Sequence, residues 1–75
     1  MANNFPDQRT VERVRKMYPK GTRVELIQMD DAYSPLKPGE QGTVRLVDDT
    51  ATVFVDWDSG SGLGVVYDVD RIRKL

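Results

Sequence analysis

Apolar and polar positions alternate twice in the middle of this chain. Gly42, Thr43, Val44, Arg45, Leu46 and Val47 form one run; Val53, Phe54, Val55, Asp56 and Trp57 form the next. A period of two marks a strand with one face on a core. The polar break Asp48, Asp49, Thr50 between the runs reads as the turn of a β-hairpin. Glycines frame the pair, Gly39 and Gly42 ahead and Gly60, Gly62 and Gly64 behind. That pattern predicts a small, strongly bent barrel, the kind of fold that more often binds than catalyses.

Further strands flank the hairpin. Thr22 to Met29 alternates as a first strand, with Val24 and Leu26 on one face and Ile27 and Met29 on the other. The change of face at Leu26–Ile27 predicts a bend or bulge. Gly64 to Val66 begins a fourth strand, Tyr67 to Asp70 reads as a tight helical turn, and Arg71 to Leu75 as a short closing strand. Between the first strand and the hairpin runs a long loop, Asp30 to Gly39, in which Pro35 and Pro38 block regular pairing. Loops of this length usually have a role of their own.

Ahead of the strands the period changes. Val11, Val14, Met17 and Tyr18 fall on one side of a helix predicted over about residues 8–18. Asp7 or Thr10 would cap its start, and Pro19 and Gly21 end it. So short a helix is marginal alone and must dock on something, here one open end of the expected barrel. The expected architecture is therefore mainly β: a five-stranded SH3-like barrel over residues 22–75, with an N-terminal amphipathic helix and a disordered tail at residues 1–6. A four-stranded α+β sheet is the alternative. Val24, Leu26, Val44, Leu46, Val53, Val55, Leu63, Val65, Val69 and Ile72 are the expected core, and Trp57 continues the Val53/Val55 face into it.

Seventy-five residues make one domain, burying only about 60% of the unfolded surface. The chain has no cysteine, hence no disulfide or thiolate metal site. It has neither a membrane-length apolar run nor a signal segment. These features point to a soluble, cytoplasmic protein without a membrane partner.

Net charge is only −1, yet the charges are segregated. Residues 1–23 carry six basic residues against Asp7 and Glu12. Residues 24–70 carry ten acidic residues against Lys37 and Arg45, and the chain ends on Arg71, Arg73 and Lys74. Basic ends beside an acidic middle are the ordinary solvated surface of a small domain, but they can also mark a nucleic-acid footprint.

The sequence also resembles a known family. Tyr18, Pro19, Lys20, Gly21, Thr22, Arg23, Val24, Glu25 and Leu26 carry the likeness first. Met29, Asp31, Tyr33, Pro35, Pro38, Gly39, Gly42, Thr43, Val44, Val47, Asp48 and Asp49 continue it. Val55, Asp56, Trp57, Asp58, Ser59, Gly60, Ser61, Leu63, Val69 and Asp70 complete it. Together they resemble a family of uncharacterised small bacterial domains that also occurs in phages and mobile elements. The likeness covers about residues 10–75. It implies an SH3-like fold, no established activity and no catalytic residues. The chain departs from the pattern after Gly64, where Tyr67 and Asp68 make it more acidic.

Enzymatic chemistry finds little support. There is no histidine for near-neutral acid–base work and no cysteine nucleophile. Ser34, Ser59 and Ser61 lack an imidazole partner. Asp56 and Asp58 share a strand face, but a barrel this small offers little cavity for them to work in. The acidic pairs Asp30/Asp31, Asp48/Asp49, Asp56/Asp58 and Asp68/Asp70 offer oxygen ligands. Their spacing fits no calcium loop, and aspartates of this kind commonly serve turns. No cofactor, metal or catalytic site is expected.

Binding remains. Tyr33 lies in the long loop, Phe54 points away from the Val53/Val55 face, and Asp56 and Asp58 flank the strand end. Aromatic rings beside carboxylates suit a basic or proline-rich segment. The leading expectation is a non-enzymatic interaction module that binds a protein or peptide, or a second copy of itself, through Tyr33, Phe54, Asp56 and Asp58. The alternative is weak nucleic-acid binding through Arg13, Lys16, Arg71 and Arg73, on phosphates rather than stacked bases.

Overall fold

Asp7 starts the helix. In the computed structural model, which describes residues 7–29, 33, 35–66 and 70–75, its carboxylate accepts the Thr10 amide at 2.8 Å. That bond satisfies one of the orphan donors of the first turn and holds the Asp7 carboxyl below its usual range. Helix α1 runs Gln8–Met17 and closes when the Tyr18 amide donates to the Val14 carbonyl. Its apolar stripe is folded inward: Val11 and Val14 are buried, and Tyr18 packs against the same cluster.

Five antiparallel strands follow: β1 Arg23–Gln28, β2 Gln41–Val47, β3 Thr52–Trp57, β4 Gly64–Val66 and β5 Arg71–Lys74. They form one sheet in the order β4-β3-β2-β1-β5. The fold is thus mainly β with one short helix, as the periodicities predict. Hydrogen bonding leaves β4 and β5 as the two edges of an open sheet rather than closing it. The expected tail at residues 1–6, residues 30–32 and 34 of the long loop, and residues 67–69, Val69 included, lie outside the described residues.

Two turns of the sheet share one hydrogen-bond pattern. In the β2–β3 turn the Asp48 amide donates to the Thr52 carbonyl, and the Ala51 amide donates back to the Asp48 carbonyl. After β3, the Trp57 amide donates to Ser61 and the Gly60 amide donates back to Trp57. The pattern needs a positive φ at its fourth residue, supplied by Gly60 at +100° and by Ala51 at +60°. Alanine is strained there, but its methyl is fully buried in the core. Asp48 fixes the first turn through its side chain, accepting Thr50 N, Thr50 Oγ1 and Thr52 N at 2.6–3.0 Å.

Bulges decide which residues enter the core. The β1–β5 register shifts between Leu26 and Gln28, where the change of apolar face predicts a bend. The β2–β3 register shifts between Val44 and Leu46. This second bulge turns Leu46 out, 47% exposed, and brings Val47 inward in its place. Leu46 is therefore not core, contrary to the strict period of two. Leu63 is also outside, at 37% exposure; it contributes its carbonyl, which accepts the Trp57 indole N–H at 2.9 Å. Trp57 itself is 3% exposed and belongs to the core with Val24, Leu26, Val44, Val53, Val55 and Val65. Leu36, in the proline-rich loop, is a buried residue that the periodicity does not reveal.

Candidate interaction surfaces

The outward face of β2, β3 and β4 carries Phe54 and Asp56 of the four leading candidates. Phe54 stands opposite Leu46 on β2 and opposite Gly64 on β4. Two residues along the register, on the same face, Val66 stands opposite Thr52 and is 40% exposed. Leu46, the half-buried Phe54 and Val66 therefore form an apolar patch across three strands, on the far side of the sheet from the core. Its Leu46 and Val66 members were not singled out from the sequence, because the bulge that exposes Leu46 leaves no residue signature.

Charges border this patch in pairs. Asp56 lies beside Arg45, whose Nε is 3.8 Å from its Oδ1, a loose contact that leaves both side chains exposed. Asp58 is held far more tightly. Arg23 spans it with two bonds of 2.9 and 2.7 Å and reaches Thr43 Oγ1 with the same guanidinium. This fork holds the Asp58 carboxyl below its usual range and pushes the Arg23 guanidinium up. Both carboxylates are exposed, Asp58 at 58% and Asp56 at 64%, but only Asp58 is held in a two-bond fork. Tyr33 is 95% exposed, away from any sheet register that would join it to Phe54.

The β4 edge is closed at its end. The Val66 amide donates to Asp70 Oδ2 at 3.0 Å and the Val66 carbonyl accepts the Asp70 amide at 2.9 Å. A foreign strand is thereby denied both polar groups of that residue.

The four cations of the nucleic-acid alternative are placed in two groups. Arg13 and Lys16 line a shallow groove between α1 and the end of β5, together with Arg9, Glu12, Met17 and Lys74. Arg71 and Arg73 alternate with the inward Ile72 and lie outside this groove. Arg73 bonds Glu25 at 2.8 Å, and Arg71 borders a separate cleft of about 380 Å³ with Ile27, Val53, Val65 and Ile72. Lys74, not Arg71 or Arg73, is the β5 cation that joins the helix. The remaining helical arginine, Arg15, is turned to the β2–β3 turn, where it donates to the Val47 carbonyl and to Asp49.

Among the described residues no group of three histidine, cysteine, aspartate or glutamate side chains converges to hold a metal ion. No helix among them is long and apolar enough to cross a membrane.

The sequence model of a family described as Domain of unknown function (DUF4314) matches residues 7–75, the whole of the fold from the Asp7 cap onward. The chain belongs to this family. No curated protein and no solved structure matches it. The DUF4314 match thus covers both surfaces described above and assigns a role to neither.

Proposed function

We propose that this DUF4314 domain is a non-enzymatic, cytoplasmic interaction module, an SH3-like barrel that docks a protein partner on the outer face of β2, β3 and β4. The barrel reading is supported by the strand order β4-β3-β2-β1-β5 and by the approach of β4 to β5 across the open side. The binding reading rests on one observation: Leu46 and Val66 are exposed beside Phe54, on a face that the core does not need. Asp70 obstructs strand addition at the β4 edge, so the partner meets the face and not the edge. The chemistry that fits is a segment with an apolar side chain over Phe54 and a cation against Asp56. Tyr33 would add to this surface only from its own loop, and Asp58 contributes indirectly, by fixing Arg23.

The test is site-specific photocrosslinking in cells. Leu46, already exposed, is replaced by a photoreactive phenylalanine. The expected result is a discrete adduct that weakens when Asp56→Lys is added and does not form from the same group at Ser59. An adduct of twice the chain mass identifies a second copy as the partner. No adduct, or equal adducts from Leu46 and Ser59, overturns the reading.

A further inference from the structure

We propose that the groove between α1 and the end of β5 takes the phosphate backbone of a nucleic-acid duplex. Four cations, Arg9, Arg13, Lys16 and Lys74, line it with a single carboxylate, Glu12. Their state differs from that of four other arginines. Arg15, Arg23, Arg45 and Arg73 each sit against a carboxylate of the same chain. Among the described residues none of the groove cations does. Asp7 feels the charge of Arg13, but its carboxylate is engaged by the Thr10 amide. Among the described residues, the groove thus gathers four cations that have no ion pair of their own.

The spacing fits a phosphate row. Arg9, Arg13 and Lys16 fall within an arc of about 60° on α1 and span roughly 10 Å of its axis. A duplex strand carries one phosphate per about 3.4 Å of axis, so this run faces about three of them. Lys74 adds a contact from the second wall, its ammonium lying 5.8 Å from the Tyr18 ring centre. Tyr18 itself lines the separate cleft beside Arg71, and no aromatic residue lines the groove. Without an open ring there is no stacking platform for unpaired bases, which favours a duplex over a single strand. An anionic membrane is the weaker match. Insertion of α1 would need its apolar side, yet Val11 and Val14 are committed to the core.

This inference is independent of the outer-face reading, which uses other residues and another probe. It is tested by the anisotropy of a short labelled duplex of mixed sequence, titrated with the full chain between about 50 and 200 mM salt. Four phosphate contacts predict a log–log slope between about −3 and −4. Arg13→Ala and Lys16→Ala, both at exposed helical positions, should each reduce that slope by about one while leaving the far-UV spectrum unchanged. Arg71→Ala should leave it as it is. The proposal is overturned by no binding at the lowest salt, or by an equal loss in Arg71→Ala. Tighter binding to a single strand, to a polyglutamate peptide or to phosphatidylserine vesicles at the same salt also overturns it.

Discussion

The ring of Phe54 lies across Gly64, its partner on the neighbouring strand. A β-carbon at Gly64 would fall 3.1 Å from Phe54 Cε1 and 2.7 Å from Thr52 Cγ2. The absent side chain is what lets the ring fold down onto the sheet, half-buried on a face turned from the core. Gly64→Ala should lift the ring and cost about 1–3 kcal/mol by overpacking. Gly42→Ala should cost more, since its β-carbon would meet backbone, 2.8 Å from the Asp56 carbonyl oxygen and 3.0 Å from Trp57 Cα. Urea denaturation of the two variants checks the order. A cost for Gly64→Ala equal to or above that of Gly42→Ala would mean that Phe54 and Thr52 cannot move aside.

Trp57 makes the core and one of its turns depend on each other. The ring is buried, and its N–H holds the Leu63 carbonyl in the connection to β4. Trp57→Ala should destabilise the domain by about 3–5 kcal/mol, a large share of the roughly 5–15 kcal/mol that small domains possess. Trp57→Phe keeps most of the apolar volume and should cost less. A loss well under ~1 kcal/mol in Trp57→Ala would place the ring outside the core.

What was legible in the sequence follows what is local in the physics. Alternation in Val53–Trp57 and the helical stripe of Val11 and Val14 both depend on neighbours a few residues away, and both appear where the pattern puts them. Leu46 shows the limit. Leu46 and Val47 are adjacent and both apolar, so either can continue the face begun by Val44, and only the bulge against Phe54 selects Val47. Leu36 is a lone apolar residue among prolines and gives no period at all. The fork of Arg23 on Asp58 joins residues on β1 and after β3, so neither residue's neighbours announce it. Lys74 was more accessible: it lies two residues beyond the inward Ile72, and strand alternation sends it toward the helix while Arg71 and Arg73 go outward.

Asp48 ties stability to pH. Desolvation pushes its carboxyl up, but Thr50 Oγ1, the Thr52 and Thr50 amides and the charge of Arg15 together outweigh that, leaving it below 3.8. A carboxyl held lower in the folded state contributes stability above its unfolded value and loses it as pH falls through the folded value. The Asp48 contribution should therefore be complete above about pH 4 and fade below it. Asp48→Ala strips three donors of their acceptor and should cost about 1–3 kcal/mol at neutral pH. The gap between parent and variant, measured by urea denaturation, should narrow as pH drops below the ordinary carboxylate range. Asp7 and Asp58 titrate in the same direction in both proteins and cancel in that difference. A gap independent of pH would show that the Asp48 charge does not support the turn.

Asp58 and Asp56 should separate in a mutant cycle. The Arg23 fork on Asp58 is bidentate and supported by Thr43, whereas the Arg45 contact to Asp56 is single and long. Planar two-bond geometry is what distinguishes ion pairs that stabilise from the many exposed ones that do not. In double-mutant cycles of alanine variants, Arg23 and Asp58 should show favourable coupling that shrinks as salt is raised. Arg45 and Asp56 should show none that can be resolved. Asp58→Ala should therefore weaken the fold, while Asp56→Lys should leave it intact and act only on the docking face. Equal coupling in the two pairs would mean that Asp56 is a structural residue, and its charge would no longer be available to a partner.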